Sequence, residues 1–238
     1  GNRISLNHFF GSAYNRNAKL VQVDIAGEEP GRNRAINVPV ISDVRAFLDL
    51  LNSRLDALGL SGGGAGGLTH RYTAWVENLR AEKARCAAEM LPAMTSPSLP
   101  IHPQRLVYEI DQFMDRDDDV VLGDGGDALT WVHVGRTVRT PYRLLDHGQY
   151  WCIGGGIADA IAARLVYPDS RVMLVTGDGS FGFNFMEVTT ALRKGLPLVV
   201  VVANDQSWGM IRHSQQLRLG YSLDSVSWLG FTPYHRMV

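Results

Sequence analysis

Three apolar runs in the second half of the chain each end in a small or acidic turn and give way to a helical stretch. Asp119 to Leu122 runs into Gly123-Asp124-Gly125-Gly126, Arg171 to Thr176 into Gly177-Asp178-Gly179-Ser180, and Leu196 to Ala203 into Asn204-Asp205. Strand, turn and helix repeated in this way predict an α/β fold: a parallel sheet with crossover helices on both faces. Ligands of such sheets collect at the carboxyl ends of the strands, so all three turns share the edge where chemistry belongs.

The first half reads differently. Ala18 to Ile25 predicts a buried strand through Leu20, Val21, Val23 and Ile25, and Asn37 to Ile41 a shorter edge strand because of Pro39. Ser42 is the expected N-cap of a helix presenting Val44, Phe47, Leu48 and Leu51 on one face. Gly59 to Gly67 reads as a flexible linker, and Tyr72 to Met90 as a polar surface helix. His102-Pro103 then opens a helix with Leu106, Val107, Ile110, Phe113 and Met114 along one side. The expected domains are 1–57, 58–100 (linker and surface helix) and 101–238. Opening on Gly1 and stopping at Val238, as Tyr234 to Val238 begins a helical pattern, both ends read as truncated.

A net charge of −1 gives no field toward nucleic acid or an anionic membrane surface. No apolar run is long enough to span a bilayer. Two cysteines, Cys86 and Cys152, fit a reducing cytoplasm better than a disulfide scaffold.

Asp178 and Asp205 stand 27 residues apart, room for one helix and one strand. Both therefore lie at the ends of parallel strands that sit about 5 Å apart when adjacent. Two carboxylates converging there repel unless a cation lies between them, and a few hard oxygen ligands with vacancies suit Mg²⁺. Glycines around Asp178 admit a bulky anion, and a helix expected from near Gly182 would point its N-terminus at it. Two helix-capping aspartates without a metal explain the pattern equally well. Gly123 to Asp127 is a second close-approach turn suited to phosphate. Gly154-Gly155-Gly156 imitates a dinucleotide-binding fingerprint, but Leu145 to Trp151 is not the apolar strand that must precede one.

Gly177-Asp178-Gly179-Ser180, with Glu187 in the next helix and Asn204-Asp205 closing the stretch, resembles the thiamine diphosphate (ThDP) signature. His147 to Gly220 is similar to the branch of that family containing acetolactate synthase, benzaldehyde lyase, oxalyl-CoA decarboxylase and 2-hydroxyacyl-CoA lyase. Ala18 to Leu51 resembles, more loosely, the end of that branch's central Rossmann-like domain, which implies FAD or ADP there. Asp24 and Asp43 would touch such a ligand or serve as turn residues.

The resemblance implies Asp178, Asp205 and the Ser207 carbonyl as Mg²⁺ ligands. Asp205 replaces the usual Asn, which keeps an oxygen donor but adds a negative charge. Gly177, Gly179, Ser180, Gly209 and Met210 would border the diphosphate, and Gly126, Asp127 and Ala128 would close its far side. Ile153 falls at the wedge between the two cofactor rings, which holds the aminopyrimidine nitrogen next to the thiazolium C2 proton. His147 stands where benzaldehyde lyase-like members have an active-site histidine, or is a loop histidine. Gly135-Arg136-Thr137 is similar to the hydroxyacyl-CoA lyase side.

The implied activity is acetolactate synthase-like decarboxylation and carboligation of a 2-oxo acid. Cleavage of a 2-hydroxyketone or acyl-CoA, and a non-catalytic module, are the alternatives. The family's ring-protonating glutamate belongs to an N-terminal pyrimidine-binding domain acting across subunits. The resemblance therefore implies a homodimer or homotetramer, and a chain inactive by itself.

Overall fold

The structure, a computed structural model, describes residues 4, 6–61 and 71–237. The chain divides into two compact units, Gly1–Arg85 and Cys86–Val238. The glycine run Gly62 to Gly67 of the expected linker lies outside the described residues.

In the first unit Val21–Asp24 (β1) and Val38–Ile41 (β2) pair in parallel, Val21 opposite Val38. Val44–Ala57 (α1) follows. The expected buried strand is corrected: Val21 and Ile25 are exposed, whereas Gln22 and Asp24 are buried. Among the described residues of this unit no apolar layer covers Val21 and Ile25. The buried positions instead satisfy the connecting loop. Gln22 accepts from the Gly31 N–H at 3.0 Å, and Asp24 accepts from the Ala26 N–H at 3.0 Å. The N-cap is Asp43, not Ser42: Asp43 Oδ1 accepts from the Ala46 N–H at 3.0 Å, while the Ser42 hydroxyl donates to the Asp43 carbonyl. Both aspartates considered for a nucleotide are thus engaged as turn and cap residues. No residue of α1 is buried, nor any of Thr73–Met94 (α2), which agrees with a surface helix.

The second unit begins its ordered core with Pro103–Phe113 (α3), capped by His102 Nδ1 accepting from the Gln104 N–H. Val120–Asp124 (β3), Leu144–Leu145 (β4), Val172–Gly177 (β5) and Val199–Ala203 (β6) form one parallel sheet in the order β4-β3-β5-β6. Asp127–Gly135 (α4) follows β3, Gly156–Val166 (α5) precedes β5, and Asp178–Asn184 (α6) and Val188–Lys194 (α7) separate β5 from β6. Gly209–Leu219 (α8) and the short Asp224–Ser227 (α9) follow β6.

The period-2 alternation of strand side chains builds two cores. Val121, Met173 and Val175 meet Val107, Ile110 and Met114 of the α3 segment and Val132 of α4 on one face. Val120, Leu122, Val172 and Leu174 meet Ile157, Ala160 and Ala163 of α5 on the other. Each such aliphatic side chain contributes about 1.5–3 kcal/mol of burial. The sheet with helices on both faces is the α/β architecture read from the three turns.

Two further expectations are corrected. Phe113 is exposed, lying at the edge of the α3 stripe with the Arg171 guanidinium 5.2 Å from its ring centre. The helix after the Gly-Asp-Gly turn starts at Asp178 rather than near Gly182, because the extended backbone of Gly177 ends β5 and hands directly into a helical turn. Among the described residues no helix is long and apolar enough to cross a membrane.

Candidate active site

A cleft of about 770 Å³ opens at the carboxyl ends of β3, β5 and β6. Its volume falls within the usual range for small-molecule and cofactor sites. Gly126, Asp127 and Ala128 line it from the β3 side, Gly177, Asp178, Gly179 and Ser180 from β5, and Asp205, Ser207, Gly209 and Met210 from β6. Ile153 reaches the same cleft from the turn before α5 and stays 41% exposed.

Asp178 is the first residue of α6 and only 3% exposed. Its Oδ1 is buried without a hydrogen-bond partner. Burial first, and the neighbouring Asp205 charge second, push its carboxyl up to about 6, against the Gly179 N–H, which favours the ionised form. Asp205 accepts from the Ser207 N–H at 3.1 Å and from the Ser207 hydroxyl at 3.0 Å, forming a closed turn. That turn is pinned from behind: Trp208 N–H donates to the Ser227 carbonyl and Leu229 N–H to the Gln206 carbonyl, both at 2.8 Å. Asn204 donates to the Thr232 carbonyl at 2.9 Å, and its own Oδ1 is buried without a partner.

The glycines are close-approach positions. A Cβ on Gly179 would stand 2.6 Å from the Trp208 ring, and one on Gly126 2.7 Å from Met210 Cβ. A Cβ on Gly209 would stand 2.6 Å from Asp205 Oδ2 and 3.0 Å from Asp127 Oδ2. Around Gly177 a Cβ would meet nothing within 4 Å, so this backbone faces open cleft.

The residues present suit a divalent cation. The Asp205 charge raises the cost of ionising Asp178, which holds a buried oxygen with no donor, and every donor atom is a hard oxygen. Among the described residues no group of three or more His, Cys, Asp or Glu could hold a metal. An ion here would need further oxygens from backbone, water or a phosphate, as Mg²⁺ commonly takes.

Two predicted residues behave otherwise. The Ser180 hydroxyl donates to Asp124 Oδ1 at 2.9 Å and accepts from the Gly154 N–H at 3.0 Å, which commits it to the interior. His147 is not on the cleft. Its ring lies between Asp124 Oδ1, 3.4 Å from Nε2, and Asp159 Oδ2, 2.9 Å from Nδ1, and packs against Gly155. Burial pushes the Asp159 carboxyl up, with the His147 charge opposing.

Sequence reading undervalued Asp124. This carboxylate, 1% exposed, accepts from the Gly154 N–H, from the Gly156 N–H at 2.9 Å and from Ser180. The N–H groups of the Gly154-Gly155-Gly156 turn are therefore taken by the protein's own acid, which removes the dinucleotide reading of that triplet. An acid directly following a β-rich run was the available signal. Within Gly135-Arg136-Thr137 only Arg136 is buried: Gly135 abuts Val107, and Arg136 forms a buried ion pair with Asp111 at 2.6 Å, while Thr137 is exposed. Glu187 accepts from the Thr190 hydroxyl at 2.8 Å.

Residues 124–234 match the family described as thiamine pyrophosphate enzyme, C-terminal TPP binding domain. Over 218 residues the chain is 28% identical to a probable acetolactate synthase large subunit of Methanococcus aeolicus, covering 90% of this chain and 36% of that protein. An acetolactate synthase large subunit of Mycobacterium tuberculosis is 30% identical over 218 residues, covering 90% and 37%. The human 2-hydroxyacyl-CoA lyase 2 is 30% identical over 164 residues, covering 68% and 25%. The chain thus spans little more than a third of the length of these synthases.

Proposed function

The chain belongs, through residues 124–234, to the thiamine pyrophosphate enzyme family, and from that premise we propose that it serves a ThDP- and Mg²⁺-dependent enzyme making or breaking a carbon–carbon bond next to a carbonyl. The reaction proposed first is that of an acetolactate synthase, decarboxylating a 2-oxo acid and ligating the remaining acyl group to an acceptor. The observation carrying this reading is the buried, partnerless Asp178 Oδ1 beside Asp205 at the mouth of three parallel strands.

In this reading Asp178, Asp205 and the Ser207 carbonyl hold Mg²⁺. The backbone of Gly126, Asp127 and Ala128, facing that of Gly177, Gly179, Ser180 and Gly209, cradles the diphosphate, with Met210 at its border. The α6 N-terminus, beginning at Asp178, adds a positive dipole end toward that anion. Ile153, apolar and part-exposed in the cleft, is the wedge that sets the ring orientation. When bound, the thiazolium supplies an electron sink for a carbanion adjacent to a carbonyl. The Ser180–Asp124 bond and the Gly154–Asp124 bonds fix the floor on which these backbones sit.

Cleavage of a 2-hydroxyacyl-CoA is the second reading, favoured by the 30% identity to the human lyase. In both, the ring-protonating glutamate comes from an N-terminal pyrimidine-binding domain, supplied across a homodimer or homotetramer, so this chain alone binds cofactor without turnover. The low cysteine count, Cys86 and Cys152 alone, fits a reducing compartment such as the cytoplasm better than a disulfide scaffold. FAD or ADP in the first unit has weaker support, since Asp24 and Asp43 are engaged locally.

The test uses the full-length protein with ThDP and Mg²⁺. Release of CO₂ from pyruvate supports the synthase, and aldehyde release from benzoin or a 2-hydroxyacyl-CoA the lyase. Bound ThDP without any turnover would mean a non-catalytic module, and absence of ThDP binding would overturn the reading.

A further inference from the structure

Among the described residues lining the cleft, His213 is the only histidine. It stands on α8, which follows β6, and its Nδ1 lies 2.6 Å from Oδ2 of Asp127, the first residue of α4, which follows β3. Since β5 lies between β3 and β6, the pair reaches across the end of the central strand. The approach depends on Gly209, where a Cβ would come within 3.0 Å of that Asp127 oxygen. The imidazole is 62% exposed and the carboxylate 32%, so the ring faces outward while its anchor is half-covered.

An ionised carboxylate only accepts hydrogen bonds, so Nδ1 carries a proton and, in the neutral ring, Nε2 is left with a lone pair. A cleft-lining base oriented by a carboxylate is the arrangement that recurs wherever a histidine shuttles protons. His147, the histidine singled out from sequence, also sits against carboxylates but lies off the cleft. Of the other charged residues described, Asp178 and Asp205 line the same cleft, and the adjoining Arg212 lies 3.4 Å from Asp224.

We propose that His213 is an acid–base catalytic residue for the hydroxyl of a 2-hydroxycarbonyl substrate in this cleft, with Asp127 as its positioning residue. The proposal rests on the carbon–carbon bond chemistry proposed above. In the cleavage direction the O–H bond breaks and an N–H bond forms at Nε2. The freed oxygen pair becomes the C=O π bond of the departing aldehyde or ketone. The pair of the broken C–C bond would be left on the acyl carbon, for which ThDP, when bound, would supply the electron sink. In the ligation direction the same imidazole returns the proton to the new alkoxide.

Two measurements test it. In this chain labelled with ¹⁵N-histidine, long-range ¹H–¹⁵N correlation is expected to show His213 as the Nδ1–H tautomer, and Asp127→Asn to remove that preference. An Nε2–H tautomer in the unsubstituted chain overturns the proposal. In the full-length protein, His213→Gln keeps a hydrogen-bonding group toward Asp127 but cannot cycle a proton. It is expected to lower kcat by about 10²–10⁴-fold, to flatten the limb of the pH profile that reports the base, and to leave ThDP affinity within about threefold. Turnover within threefold of the unsubstituted protein overturns the proposal, and so does a loss of ThDP affinity that parallels the loss of kcat. A full-length protein that binds no ThDP overturns the parent reading, and this one with it.

Discussion

Ser180 Oγ lies 2.9 Å from Asp124 Oδ1, and this bond ties the helix after β5 to the end of β3. Asp124 also accepts the Gly154 and Gly156 N–H groups, so one buried carboxylate organises three turns. Asp124→Ala leaves those donors unsatisfied and is expected to cost about 2–4 kcal/mol, with Asp124→Asn costing less because one acceptor oxygen remains. Urea unfolding of the chain measures both. An Ala variant within 0.5 kcal/mol, roughly the scatter of neutral surface changes, would show that the network carries little.

Gly179 and Gly177 separate packing from cofactor contact. A Cβ at Gly179 would lie 2.6 Å from the Trp208 ring, so Gly179→Ala is expected to cost about 1–3 kcal/mol. A Cβ at Gly177 meets nothing, so Gly177→Ala should leave the unfolding midpoint almost unchanged while weakening ThDP binding. Equal effects of the two on stability would contradict the placement of the cleft.

The Arg136–Asp111 pair, 2.6 Å apart and buried on both sides, is internal. Arg136→Met removes the buried partner of the Asp111 carboxylate, leaving it the Thr137 N–H at 3.0 Å and Arg139 at 3.9 Å, and is expected to destabilise by about 3 kcal/mol. Replacing both residues with apolar side chains should recover much of the loss, as guanidinium chloride unfolding would reveal.

Asp178 gives a pH dependence with a defined sign. Its carboxyl titrates at about 6 in the folded protein against an ordinary 3.8, so the metal-free fold binds this proton more tightly than the unfolded chain does. The stabilisation is therefore complete below the ordinary value and is lost as pH rises through about 6. In the proposed reading Mg²⁺ competes with that proton, so it should raise Tm more at neutral pH than in mild acid. Asp178→Asn is expected to stabilise the metal-free chain at neutral pH by roughly 1 kcal/mol, allowing for solvent screening, and to abolish the Mg²⁺ response. Thermal melts across pH, with and without Mg²⁺, read both effects.

The sheet of the second unit was legible because β3 and β5 are covered on both faces, which makes each a nearly unbroken apolar run. The first unit was misread for the converse reason: Val21 and Ile25 alternate like a buried strand, but among the described residues nothing covers them in a two-stranded sheet. The start of α6 was placed four residues late because Gly-Asp-Gly has the composition of a loop. Asp178, Asp205, the glycines around Asp178 and the Gly123 to Asp127 turn follow from strand ends and glycine turns, which are local signals, whereas Ala128, Ile153, Ser207, Gly209 and Met210 rest only on the family resemblance. The role of Asp124 does not follow from local signals, since it depends on Gly154, 30 residues along the chain, and neither does that of His147, which is held by Asp124 and Asp159 from two other elements. His213 carried no signal at all, because its partner Asp127 is 86 residues away.

The central claim is that Asp178 and Asp205 share a divalent ion that grips a diphosphate. Isothermal titration of ThDP into this chain, with Mg²⁺ or with EDTA, for the unsubstituted protein and for Asp178→Ala, tests it directly. The account expects binding heat only in the unsubstituted chain with Mg²⁺. Binding that survives EDTA, or that Asp178→Ala leaves unchanged, would contradict it.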